Sequence, residues 1–228
     1  MTPLALIRLL HLASPTLPVG AYRYSQGLES AIDAGIVKDE ADAQAWIADT
    51  LKHSVARLEA PVFCRLYNAW QAEDRAAIDH WNDYFLASRD SAEFRAETVQ
   101  MGYSLAKLLR DLHPREKRVE WLPPTVAEAS TSFPCAMAAA CVILQTPLEA
   151  SLHAYLFAWT ENQVLAALKA VPLGQVSGQR MLFALEEIIL AAAATALALA
   201  DDDISNWTPG LAFLSMRHET QHSRIFRS

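Results

Sequence analysis

The stretch Thr146-Pro147-Leu148-Glu149, continuing as ASLHAYLFAWTENQVLAALKAVPLGQVSGQRMLFALEEIILAAAATALALA to Asp201-Asp202-Asp203, decides the fold class. Thr146 followed three residues later by Glu149 reads as a capping box, the hydroxyl serving the third amide and the carboxylate reaching back. Pro147 falls at the first helical position, where a missing N–H costs nothing. Leu152, Tyr155 or Leu156, Trp159 and Gln163 then recur on one face, and the helix should stop before Pro172. A second long helix is expected from about Gly174 to about Ala200. The three aspartates end it, because a helix C-terminus disfavours negative charge.

The same grammar runs upstream. Ile47, Leu51, Val55 and Leu58 share a helical face, and Ile78, Trp81 and Phe85 do so behind Asp74, a natural N-cap. Phe94, Met101, Leu105, Leu108 and Leu112 form a further stripe, with Glu97, Lys107 and Arg110 assigned to the outside. Thr208-Pro209 repeats the cap-plus-proline signal ahead of a last short helix, and residues 113–124 (HPREKRVEWLPP) read as an exposed connection. No sustained two-residue alternation is present, and 40 alanines against 21 valines plus isoleucines favour helix over strand. The expectation is an all-α fold: a single-domain bundle over residues 1–228, of roughly eight to ten helices, with no significant β-sheet.

Composition excludes several function classes. A net charge of −7 and a pI near 5.5 give no general attraction for nucleic acid or an anionic membrane. The most apolar run, residues 188–200, is about 13 residues where a bilayer needs about 20. Cys64, Cys135 and Cys141 form no CxxC pair and cannot all pair with one another, as in a reduced, cytosolic chain. With 7 glycines and neither a Walker-type nor a dinucleotide-binding loop, any nucleotide chemistry has to come from a partner.

His218-Glu219-Thr220-Gln221-His222 matches H-E-x-x-H, which in zinc hydrolases stacks two histidines on one helical face beside a glutamate base. Only SRIFRS follows it, so no downstream third ligand is available, and a zinc-dependent hydrolase is carried as the alternative reading. Three segments fit neither plain core nor plain surface. Residues 17–29 (LPVGAYRYSQGLE) make a shaped entry to a helix. Residues 169–179 (KAVPLGQVSGQ) join two apolar helices, with Gln175 and Gln179 on one face. Residues 217–228 (RHETQHSRIFRS) mix Arg217, Arg224 and Arg227 with Ile225 and Phe226, as in a tail that orders on a partner.

Together these three segments resemble the UreF family of urease accessory proteins, in the right order and over essentially the whole chain. The matching positions are Pro18, Gly20, Tyr22, Ser25, Gln26, Gly27 and Glu29, then Lys169, Pro172, Gly174, Gln175 and Gln179. In the tail they are Arg217, His218, Glu219, Gln221, Ser223, Arg224, Phe226 and Arg227. The resemblance implies an all-helical, dimer-forming cytoplasmic protein with no catalysis and no cofactor of its own. It would bridge a UreD-type (UreH-type) accessory protein and the GTPase UreG, modulate that GTPase, and help deliver nickel to apo-urease. The matching residues would bind these partners, with 217–228 as a docking tail. Two positions depart from the family pattern: His222 stands where tyrosine is usual, and Arg23 where a small residue is usual.

Overall fold

The computed structural model describes residues 1–123 and 130–228, and every regular element among them is helical. A long antiparallel hairpin runs through the fold: α8 (Leu148–Ala170) packs along α9 (Gln175–Ala198). Beside it lies a continuous helical run made of α3 (Glu40–Thr50), a π-helical stretch (Leu51–Glu59) and α4 (Ala60–Ala72). Helix α4 packs against α7 (Phe133–Ile143), and α6 (Ala92–Leu112) covers another side of α7. Helices α1 (Pro3–Ala13), α2 (Leu28–Asp33), α5 (Arg75–Ala87) and α10 (Pro209–His218) complete the shell.

The π-helical stretch has an identifiable cause in Pro61. Proline has no N–H to give and crowds the carbonyl four residues back, so the helix loosens before it, as at Ala60 N–H, which bonds Val55 O. The carbonyl four residues before Pro61 belongs to Arg57, and it accepts instead from Ser205 N–H at 3.2 Å. A sequence defect thereby ties the chain that follows α9 to the middle of the fold. The stripe Ile47, Leu51, Val55 and Leu58 is fully buried despite the change of pitch.

Helix ends follow their caps where a small polar side chain is free to turn back. Asp39, Asp74, Ser91 and Ser132 each accept from the amide three residues on. The expected capping box at Thr146 does not form. Thr146 is buried, and its hydroxyl donates to Cys141 O at 3.1 Å and meets Ser151 Oγ at 2.8 Å, so it closes the end of α7 and leaves the start of α8 uncapped. Thr208 likewise makes no cap, although α10 does start at Pro209. At the C-terminus of α9, Arg65 donates to Leu199 O, to Ala196 O at 3.5 Å and to Asp201 Oδ1 at 2.8 Å. This guanidinium offsets the clash between helix end and aspartates.

Three further expectations are corrected. Within 113–124, residues Lys117–Trp121 form a 3-10 turn that buries Val119 and Leu122 and stacks Trp121 on Trp70, so this connection contributes to the core. Pro124 lies outside the described residues. On α6 the stripe ends early: Leu109 is buried, Leu112 is 59% exposed, and Glu97, assigned to the outside, is 5% exposed. Finally, the apolar run near residue 190 belongs to a 24-residue helix, α9, long and apolar enough to cross a membrane by length and composition. Its Met181, Leu185, Ile189, Ala192 and Ala196 are buried in the fold.

Candidate functional site

The site forms where the ends of the chain meet on α6. Ser25 opens the first turn of α2, and its hydroxyl accepts from Glu29 N–H at 3.2 Å. Gln26 and Gly27 precede the helix in left-handed conformation, at φ 53° and 84°. Glycine suits position 27 because of this φ, and a Cβ there would also press on Leu211 Cδ1 of α10 at 3.1 Å. Helix α10 carries His218 inward as its last residue, and the chain then turns back over α2 and α6.

Three carboxylates hold the returning tail. Glu29 accepts from Ile225 N–H at 2.6 Å and Phe226 N–H at 2.9 Å, and faces His218 Nε2 at 3.0 Å. Glu93 faces His218 Nδ1 at 2.7 Å and accepts from Arg224 at 2.9 Å. One turn on, Glu97 accepts from Ser228 Oγ at 2.7 Å and from Gln26 Nε2 at 2.6 Å. The Gln26 amide oxygen in turn accepts from Trp159 Nε1 at 2.7 Å. Burial pushes the Glu97 carboxyl up to about 7, the nearby Glu59 adding to the rise while the bonds from Gln26 and Ser228 oppose it.

Beside Glu97 lies a cavity of about 110 Å³ lined in part by Gln26, Glu59, Arg89, Glu97 and Tyr155. Tyr155 donates to Glu59, and burial with that carboxylate raises the phenol well above its usual range. Arg89 lies over the Phe85 ring at 4.1 Å and 3.8 Å from Glu59, and its buried Nε has no partner among the described residues. Burial pulls this guanidinium below its ordinary value.

The sequence-marked residues divide into two groups. Ser25, Gly27, Glu29, His218, Phe226 and the partly buried Gln26 build the junction itself. Lys169 joins it from α8: its Nζ sits 5.4 Å over the Tyr22 ring and 5.7 Å from the Phe226 ring, 3.4 Å from Tyr22 O. Glu219 bonds Ala92 N–H at 2.9 Å, and Gln221 accepts from Ser30 at 3.2 Å. Pro18, Tyr22, Arg217, Ser223, Arg224 and Arg227 are exposed around the junction, and Gly20 is half-buried. Pro172, Gly174, Gln175 and Gln179 are exposed at the α8–α9 corner. Arg23 causes no crowding, since it points outward against the Tyr22 hydroxyl at 3.2 Å.

Residues 217–228 pack on this chain's own groups, Phe226 and Ser228 being 5% and 1% exposed. The two-histidine zinc site is not formed. Helix α10 stops at His218, so His222 is not placed one turn further along it, and His218 is committed to Glu29 and Glu93. Among the described residues no group of three or more His, Cys, Asp or Glu side chains is arranged to hold a metal ion.

The sequence reading missed Glu97, Glu93 and Ser228. The signal for Glu97 was present: it lies three residues after Phe94 and four before Met101, on the apolar face itself. The UreF family profile matches residues 37–186, well over half of the chain. A urease accessory protein UreF of Janthinobacterium sp. (strain Marseille) is 53% identical over 224 residues, 98% of each chain. Relatives of the same name from Azoarcus sp. (strain BH72) and Dechloromonas aromatica (strain RCB) are 53% and 52% identical. They cover 99% and 100% of this chain, and 96% and 99% of their own length.

Proposed function

The chain belongs to the UreF family of urease accessory proteins, and we propose that it is a non-catalytic scaffold of urease maturation. It bridges a UreD-type (UreH-type) accessory protein and the GTPase UreG, modulates that GTPase, and so brings nickel to apo-urease. The carrying observation is the junction of 217–228 with 17–29. Some of the marked residues are spent on fixing this surface, and others, including Tyr22, Arg217 and Arg227, face outward from it. Glu29, Glu93 and His218, the groups best suited to acid–base work, are consumed in holding the tail. Exposed arginines on a rigid base suit bidentate pairing with acidic groups of a partner.

The tail takes the UreD-type partner, and the rim of Tyr22, Lys169 and the α8–α9 corner takes UreG. A second copy of the chain covers the exposed face of α9, where Val176, Phe183, Leu190 and Leu197 recur at seven-residue steps. Three free, buried cysteines suit a cytoplasmic setting, and the charge of −7 gives no pull toward nucleic acid or membrane. The test is capture of a UreD-type protein by the full chain carrying R217E and R227E. Loss of capture with unchanged melting is expected, and full capture by the double variant would sink the reading. The isolated chain should neither bind nor hydrolyse GTP, and stoichiometric nucleotide binding in a calorimeter would contradict that.

A further inference from the structure

The cavity beside Glu97 carries polar groups that the folded tail does not use. Arg89 and Glu59 line it together with apolar side chains such as Leu12, Leu17, Met101 and Met137. Pro15 and Tyr22, both exposed, line it as well, so it opens to solvent beside the segment that follows α1. Small-molecule sites share this make-up, apolar walls with a few convergent polar groups. The π-helical stretch supplies Ser54, Val55 and Glu59 to the wall, and such departures from α-helical pitch concentrate at functional sites.

Two groups in this wall have bonding capacity left over. Arg89 lies over the Phe85 ring, and among the described residues its guanidinium makes no hydrogen bond. Its buried Nε has no partner, and Nη1 is 3.8 Å from Glu59 Oε2, too far for a hydrogen bond. Glu59 spends Oε1 on the Tyr155 hydroxyl, and its Oε2 makes no hydrogen bond among the described residues. A set of donors and an acceptor therefore stand side by side in the cavity wall without satisfying each other.

We propose that this cavity binds a small neutral amide, whose carbonyl oxygen accepts from Arg89 while its N–H donates to Glu59 Oε2. An amide presents an acceptor and a donor on one edge, which matches this pair, and any apolar remainder meets the aliphatic wall. A volume of about 110 Å³ holds roughly four or five non-hydrogen atoms, the size of acetamide or urea. Charge favours a neutral ligand over an oxyanion. Arg89 already faces the carboxylate of Glu59, and a further anion would also face Glu97. Burial, with Glu59 adding to it, pushes the Glu97 carboxyl up to about 7, as in a place that resists more negative charge. A cation is opposed by Arg89 itself.

The experiment follows the Nε–H resonance of Arg89 in the full chain, assigned with R89K, during additions of acetamide, acetate, or urea kept far below denaturing concentration. Either amide should move the resonance saturably in the millimolar range, and acetate should bind more weakly by about tenfold or more. E59Q removes both the balancing charge and the acceptor, so acetamide should weaken, acetate should gain, and the preference should reverse. No saturable shift with either amide would mean that only water enters the cavity. That result, a wild type that prefers acetate, or an unchanged preference in E59Q would each overturn the proposal. If E59Q does not fold, as circular dichroism would show, the wild-type preference between acetamide and acetate still decides it. No partner enters this measurement, so its failure leaves the scaffold reading standing, and failed capture of a partner leaves the amide site standing.

Discussion

The carbonyl oxygen of Ser228 accepts from both the backbone N–H and the hydroxyl of Ser25, each at 2.6 Å, across 203 positions of sequence. Gln26 N–H adds a third bond at 3.2 Å, so two successive amides form a small nest at the start of α2. The tail is therefore part of the folded structure, covering Glu29, Glu93 and Glu97. Deletion of 217–228 should preserve the helical content but lower the melting temperature, because it uncovers these carboxylates and removes buried Phe226. Melts of the two chains followed by circular dichroism check this, and equal midpoints would show that the docked tail carries no stability.

Within the tail, His218 should be the costliest single residue to replace. H218A leaves Glu29 and Glu93 as largely buried carboxylates without the donor between them, a loss on the order of 3 kcal/mol or more. Adding E93Q should recover part of it by removing one of the two charges. Denaturant midpoints of the single and double variants read the outcome, and a double variant no better than H218A would assign the loss to packing alone.

What the sequence could reveal depended on how local each cause was. Asp74 caps through an amide three residues away, and α8 and α9 are periodic within themselves, so these were legible. Thr146 carried the right pattern and bonded Cys141 instead, because its burial against α7 is a tertiary fact. Pro61 gave no hint that Ser205 would take the freed Arg57 carbonyl. At the site, family resemblance marked Glu29 and His218 without saying that they touch. Glu97 and Ser228 meet across 131 residues, a relation no spacing rule contains.

Glu97 also predicts an unusual pH dependence. Its carboxyl rises from an ordinary 4.5 to about 7 on folding, so the folded chain holds the proton more tightly. The associated stability is fully present below the unfolded value and is lost as pH rises through about 7. The total is on the order of 3 kcal/mol from the size of that shift. Unfolding free energy of the wild type should therefore decline more steeply between about pH 5 and pH 8 than that of E97Q. Parallel curves would show that another group governs this range.

Gly102 should tolerate no side chain. A Cβ there would lie 2.1 Å from Thr131 O and 2.7 Å from the Ser132 carbonyl carbon, backbone atoms of a segment whose Ser132 and Phe133 amides donate to Asn82 and Thr98. G102A forces α6 and α7 apart, at a cost on the order of 2 kcal/mol despite the better helix propensity of alanine. Chemical denaturation measures it, and a neutral or stabilised variant would mean that this crossing is looser than its distances imply.

The exposed face of α9 carries the last prediction. Val176, Phe183, Leu190 and Leu197 are 67%, 70%, 50% and 42% exposed, spaced as in the seam of paired helices. Burying one such side chain yields about 2 kcal/mol, so a pair of copies sharing this seam gains enough to associate at micromolar concentration, whereas one charge placed in it opposes the gain. F183D should shift the chain from dimer to monomer in light scattering while leaving its helical content unchanged, since Phe183 faces outward in the single chain. A wild type that is monomeric at every concentration would remove the homodimer. If that monomer still lost capture of a UreD-type protein or UreG through F183D, the seam would belong to the other partner.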